Sequence, residues 1–212
     1  MKIYDISMLI HDDMPVYNNI EDKKTKIQNV ANYSNASHYE SRIYMDIHCG
    51  THFDAPLHML ENGESIEKFD LSKGITICKV FDLSNVEDSI KRQDIEQLDI
   101  KEGDFILFKT KNSLTETFEA NFIFVEKNAA EFLMNKGVKG VGIDGLGIER
   151  SQPEHETHKL LLGSGIEVLE GLRLKDIKQG RYTLVALPLK IKGTEGAPAR
   201  AVLLEYDEEI VN

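Results

Sequence analysis

The sequence predicts an α/β domain, a mixed sheet or open barrel flanked by a few helices. Three observations carry this. Short alternating or apolar runs bounded by turn residues, the pattern of strands, recur from one end of the chain to the other. Segments with a helical pattern are few and begin only after Val86. The 212 residues contain no repeat, low-complexity tract or Pro/Gly/Ser-rich linker, so one domain over residues 1–212 is the simplest organisation.

Taken in order, the strand candidates are Ile3–Ile10, Thr25–Asn32, Ser41–Ile47, Ile75–Leu83, Asp104–Thr110, Val138–Ile143, Tyr182–Ile191 and Ala199–Tyr206. Between the first two lies His11–Lys24, polar and without period; loops of that length in a compact domain serve as lids or partner contacts. The first helix candidate is Ser89–Leu98, with polar residues around Ile90, Ile95 and Leu98. Val125–Lys136 is the second, with Ala129, Phe132 and Leu133 on one face and Gly137 as a stop. Ser151 is the expected cap of a third, with Pro153 in its first turn and Glu154 three residues on, running through His158 to about Leu162 and ending at Gly163.

The totals narrow the function. A formal net charge of -11 argues against a nucleic-acid or anionic-membrane surface, which needs a basic patch. The two cysteines, Cys49 and Cys78, are too few for a disulfide framework and read as reduced thiols of a cytoplasmic protein. The first residues alternate like a strand and lack the pattern of a signal peptide. No stretch approaches the roughly 18 apolar residues that a membrane span needs.

Three of the seven histidines, His48, His52 and His58, fall close together, with Asp54 among them. Imidazole nitrogen and carboxylate oxygen are the ligands of catalytic zinc, and of manganese or iron at similar sites. On a straight strand His48 and His52 would share a face but stand roughly 13 Å apart, too far for one ion. Either the segment is helical or the chain bends, and Gly50 supplies the bend. His52 and Asp54, at i and i+2, then point to one side of an extended segment, and Pro56 stiffens the exit toward His58. His48, His52 and Asp54 thus form a candidate three-ligand site with His58 as a fourth group nearby.

A second cluster, Glu154-His155-Glu156-Thr157-His158, places His155 and His158 at i and i+3 of one helix face. The spacing is not that of a zincin, and a solvated helix start is the simpler reading. Glu170, twelve residues after His158, sits inside the mostly apolar Val168–Leu172. An acid there wants a partner, either a metal ion or a buried salt bridge.

His48-x-Gly50-Thr51-His52-x-Asp54-x-Pro56-x-His58 resembles the signature of the cyclase, or metal-dependent hydrolase, superfamily, which includes bacterial kynurenine formamidases and isatin hydrolases. Tyr4–Ser7, Met14–Tyr17, Asp104–Leu107, Val141–Asp144, Leu187–Gly193 and Gly196–Ala201 are similar to other segments of that family. The resemblance implies a swivelling β/β/α fold and a homodimer or homotetramer. It also implies that His48, His52 and Asp54 hold one divalent metal, with Asp54 bridging to a second held by His158 and Glu170. By the same resemblance the metal is Zn²⁺, one or two ions, or a single Mn²⁺ on the first triad, and His58 is the catalytic acid/base. His155 is the fallback ligand if the register is off by a turn. The chain departs from the family at Asn18-Asn19-Ile20, where a Pro-Gly-Asp run is usual, and at Gly147 and Glu149, where a Ser and a second Asp are usual.

The expected chemistry is hydrolysis of a small non-peptide amide. A bound divalent ion lowers the pKa of its water to about 7, and His58 passes a proton to the leaving nitrogen. The first expectation is a kynurenine-formamidase-like enzyme of tryptophan catabolism, converting N-formylkynurenine and water to kynurenine and formate. The alternatives are an isatin-hydrolase-like cyclic amide hydrolase, a cyclase or dehydratase-type lyase, and a module that the metal only staples. Phe53 and Tyr17 are the candidate substrate-binding aromatics, whereas Phe69 and Tyr39 are assigned to core packing. The chain has no Trp to stack on an aromatic substrate.

Overall fold

The structure, a computed structural model, describes residues 1–206. In chain order its strands are β1 (Lys2–Asp5), β2 (Lys26–Ala31), β3 (Glu40–Tyr44), β4 (His52–Asp54), β5 (Ile75–Asp82), β6 (Ser89–Ile90), β7 (Phe105–Lys109), β8 (Phe124–Val125), β9 (Gly140–Ile143), β10 (Glu167–Glu170), β11 (Gly180–Pro188) and β12 (Gly196–Glu205). The α-helices are α1 (Leu71–Gly74), α2 (Arg92–Ile95), α3 (Lys127–Lys136) and α4 (Glu156–Gly163), and several 3-10 turns connect these elements.

The main sheet runs β1-β12-β11-β5-β7-β9-β10-β4, and β4 also pairs with β12. That last pairing closes β12, β11, β5, β7, β9, β10 and β4 into a barrel-like ring, with β1 added along β12. The ring is mixed, as expected: β5, β7, β9 and β10 are parallel, whereas β4, β11 and β12 join antiparallel.

Alternation divides the apolar residues into two clusters. Phe105 and Leu107 of β7 pack with Phe53, Cys78, Val80, Leu169, Leu184 and Leu203 inside the ring. Ile106 and Phe108, on the opposite face, pack with Val141, Ile143 and Val168 against Ala129, Ala130 and Leu133 of α3 and Leu161 and Leu162 of α4. A strand covered on both faces reads as a continuous apolar run, which is why Phe105–Phe108 shows no polar alternation.

Helix α3 ends at Gly137, as expected, in a left-handed conformation. The segment expected as a helix over Ser89–Leu98 is instead the two residues of β6 followed by the single turn of α2. Pairing of Ser89 and Ile90 with Phe124 and Val125 outweighs local helix propensity there. Helix α4 starts at Glu156 rather than near Ser151, because Ser151, Glu154 and His155 all have positive φ and cannot continue a helix. Strands β2 and β3 form a separate hairpin whose side chains are mostly exposed. Tyr39, expected in the core, is 63% exposed next to it. Cys49 and Cys78 are both free and buried. Among the described residues no helix is long and apolar enough to cross a membrane.

Candidate metal centre

The site is assembled on β4, β10 and α4. The register pairs His52 with Glu170 and Asp54 with Val168, so His52, Asp54 and Glu170 share one face of the two strands. His158, in the first turns of α4, is buried over that face. His48 is brought in by the expected bend: Gly50 has φ +69, and Asp46 Oδ1 accepts the His48 backbone N–H at 3.0 Å to start the turn. Gly171, at φ +67, closes the other side, and its carbonyl accepts the Thr51 hydroxyl at 2.7 Å.

The donor atoms converge. Asp54 Oδ1 lies 2.9 Å from His48 Nδ1 and 3.4 Å from His52 Nε2, while Asp54 Oδ2 lies 3.3 Å from His158 Nε2. Glu170 repeats the arrangement, with Oε2 3.3 Å from His52 Nε2 and Oε1 3.3 Å from His158 Nε2. Each carboxylate therefore offers one oxygen to a His48/His52 side and the other to a His158 side. Two donors bound tetrahedrally to one ion at about 2.0–2.1 Å stand roughly 3.3–3.4 Å apart. Four of the five spacings are thus those of ligands around an ion, while the fifth, His48 Nδ1 to Asp54 Oδ1 at 2.9 Å, is at hydrogen-bond distance.

The polar accounting agrees. His52 Nε2 and both oxygens of Asp54 are buried with no hydrogen-bond partner among the described residues, as is His48 Nε2, which lies 3.6 Å from Glu195 Oε1. Buried groups in that state call for a partner, and a divalent cation satisfies two carboxylates and several imidazoles together. The histidines are oriented for the task. His52 Nδ1 donates to the Gly50 carbonyl at 2.9 Å and His158 Nδ1 to Glu149 Oε2 at 2.7 Å, so both Nε2 atoms face the centre. In the metal-free protein burial opposes protonation of His52, but Asp54 and Glu170 outweigh it and hold its pKa up at about 10. His158 is likewise buried, and Asp54, Glu149 and Glu170 hold its pKa well above 6.5.

His58 leaves the bend on a 3-10 turn over Pro56–His58. Its ring centroid is 4.0 Å from that of His48 and 5.4 Å from that of His158. Burial lowers its pKa to about 4, against the opposing pull of Asp54, so it is neutral at neutral pH. A cavity of about 200 Å³ opens beside it, lined by Tyr17, Lys23, Met59, Leu146 and Ser151 together with the centre.

Of the sequence candidates, His48, His52, Asp54, His158 and Glu170 come together and His58 stands beside them. Tyr17 lines the cavity, its hydroxyl 2.7 Å from Ser151 Oγ and its ring edge-on to Phe118 and Phe122. The long N-terminal loop thus reaches the cavity through Tyr17 and Lys23. Phe53 does not. It is fully buried against Phe69 inside the ring, because alternation turns it away from its neighbours His52 and Asp54. His155 lies at the cavity rim, exposed and before α4 rather than on one helix face with His158, yet it offers a ring nitrogen within 4.8 Å of ligand atoms of Glu149 and His158. Glu149, the partner of His158, was not among the candidates; the signal that pointed to it was its place where the family usually has a second Asp.

Known proteins resemble this chain over most of its length. The family described as "Putative cyclase" matches residues 4–150. A kynurenine formamidase of Erythrobacter litoralis is 30% identical over 98% of this chain and 95% of its own length. A solved structure named a potential metal-dependent hydrolase with cyclase activity is 50% identical, covers 97% of this chain and 98% of its own, and superposes with a TM-score of 0.91. Isatin hydrolase A of Ralstonia solanacearum shares the fold at 22% identity, with a TM-score of 0.83 over 95% of this chain and 91% of its own.

Proposed function

The chain belongs to the cyclase family, and from that premise we propose that it is a metal-dependent amidohydrolase of the kynurenine formamidase kind, converting N-formylkynurenine and water to kynurenine and formate. The observation that carries the reading is the convergence of His48, His52, Asp54, His158 and Glu170 beside a cavity that His58 also lines. A structural metal is enclosed by its ligands, whereas a catalytic one keeps an open position. The 30% identity to a kynurenine formamidase along nearly the whole of both chains supports the N-formyl amide as substrate.

His48, His52 and Asp54 would hold one ion, and His158 and Glu170, with Asp54 between, a second. Imidazole and carboxylate donors suit Zn²⁺, and Mn²⁺ after it. When bound, such an ion acidifies water and polarises a carbonyl, the two demands of amide hydrolysis. His58, neutral and bound to no carboxylate, takes a proton at its free ring nitrogen and returns it to the leaving nitrogen. Tyr17, Met59 and Leu146 give the cavity an aromatic and apolar wall for the aryl part of the substrate. The enzyme works in the cytoplasm, where Cys49 and Cys78 stay reduced.

The working form is a homodimer or homotetramer. In support, the β2–β3 hairpin leaves Ile27 42%, Ile43 51% and Tyr44 59% exposed. A two-stranded hairpin is marginal on its own and gains from a surface to lie against.

The test of the activity is hydrolysis of N-formylkynurenine, isatin and a lactone by the metal-loaded protein. The reading expects the formamide to be the best substrate and a chelator to abolish turnover. Faster opening of isatin or the lactone would overturn the substrate assignment, and full turnover in chelator would overturn metal dependence.

A further inference from the structure

The two sides of the centre are held in place differently. His52 is oriented by a backbone carbonyl, that of Gly50. His158 is oriented by a side chain: Glu149 Oε2 accepts both its Nδ1–H, at 2.7 Å, and its backbone N–H, at 3.1 Å. The residue before Glu149 does the same for the other ligand of that side. The Ile148 backbone N–H donates to Glu170 Oε1 at 2.5 Å. Consecutive residues of the loop after β9 therefore grip both His158 and Glu170.

The loop is itself fixed. The Ile148 carbonyl accepts the Val125 N–H at 2.9 Å, and the Gly145 carbonyl accepts the Gly171 N–H at 2.8 Å, next to Glu170. Glu149 is 3% exposed, and its Oε1 has no hydrogen-bond partner among the described residues. A carboxylate so deeply buried with one oxygen unbonded is costly to keep unless its other oxygen has a task.

We propose that Ile148–Glu149 is the positioning element of the His158–Glu170 side of the metal centre, with Glu149 holding His158 so that its Nε2 is free to ligate. The proposal rests on His158 being a ligand. Glu149 acts through His158, whose backbone N–H and Nδ1–H both occupy its Oε2. A carboxylate behind a metal-bound histidine fixes its tautomer and raises its basicity, and loss of such a partner weakens metal binding about 10–100-fold. The Glu149 effect is one-sided, because His48 and His52 have no contact with it.

The test is titration of the metal-free protein with Co²⁺ alone, followed by visible absorption, on the wild type, Glu149→Ala, Glu149→Gln and His158→Ala. The ion that His158→Ala weakens should be weakened about 10–100-fold by Glu149→Ala, with the remaining ion bound as in the wild type. Glu149→Gln, which keeps a carbonyl oxygen for Nδ1–H, should recover part of the loss. Undiminished binding of the remaining ion also shows that the variant is folded; if Glu149→Ala does not fold, Glu149→Asp, one methylene too short to reach, takes its place. If His158→Ala weakens an ion and the Glu149 variants do not, the positioning role is overturned while the ligand role of His158 stands. If His158→Ala leaves all binding intact, the ligand reading falls and this proposal with it. Equal weakening at every position would overturn the one-sided effect.

Discussion

Gly171→Ala tests the closest approach in the centre. Gly171 follows Glu170 at φ +67, and a Cβ there would lie 2.1 Å from the Gly50 carbonyl oxygen and 2.7 Å from its carbon. No side-chain rotation relieves a clash with backbone. A non-glycine residue in the left-handed region costs about 1–2 kcal/mol. Forcing an extra methyl into a packed site costs about 1–3 kcal/mol more. The variant should therefore lose about 2–5 kcal/mol, which at roughly 2–4 °C per kcal/mol for a chain of this size lowers Tm by about 4–20 °C. The displaced group is the carbonyl that orients His52, so metal affinity should also fall, by about tenfold or more. Gly165→Ala is the control: Gly165 has φ +71 but nothing within 4 Å of a Cβ, so it should lose only the backbone cost and none of the metal affinity. Thermal denaturation and metal titration of the two variants decide the matter. If Gly171→Ala is no worse than Gly165→Ala in either assay, the Gly50–Gly171 contact does not set the position of His52.

Other outcomes follow from the same geometry. Metal uptake should release protons, because the neighbouring carboxylates hold the pKa of His52 up at about 10 and raise that of His158 in the metal-free protein, and both must be neutral to ligate. Affinity should therefore rise with pH, by up to about 100-fold per unit for two protons displaced, and calorimetry in buffers of different ionisation enthalpy should report the release; uptake without protons would refute the linkage. His58→Ala should keep the metal and lose about 10²–10⁴-fold in turnover of N-formylkynurenine; if the metal goes with the side chain, His58 is a ligand instead. Light scattering should give a multiple of the 24.0 kDa chain mass, and Ile43→Asp on the exposed hairpin should lower it; a wild-type monomer would count against the assembly.

The sequence displayed the centre better than it displayed the frame that carries it. The bend at Gly50 and the shared face of His52 and Asp54 could be read from spacing, because they depend only on local backbone geometry. The strand β4 could not, since its three residues are mostly ligands and give no apolar alternation. The misplacement of Phe53 was avoidable: if His52 and Asp54 face the metal, the residue between them faces the core. The late start of α4 was not, because positive φ at Ser151, Glu154 and His155 is imposed by tertiary contacts rather than by composition. The role of Glu149 was hidden for a similar reason, as only the packing of α4 onto the loop after β9 brings it to His158.

The activity requires that His48, His52, Asp54, His158 and Glu170 hold a divalent ion. Metal-free protein incubated with Zn²⁺, freed of excess by gel filtration and analysed for metal should retain one or two equivalents per chain. Asp54→Asn, which removes the charge lying within 3.4 Å of three histidines while keeping its size, should retain almost none. A folded wild type that retains no metal, or a variant that retains as much as the wild type, would contradict it.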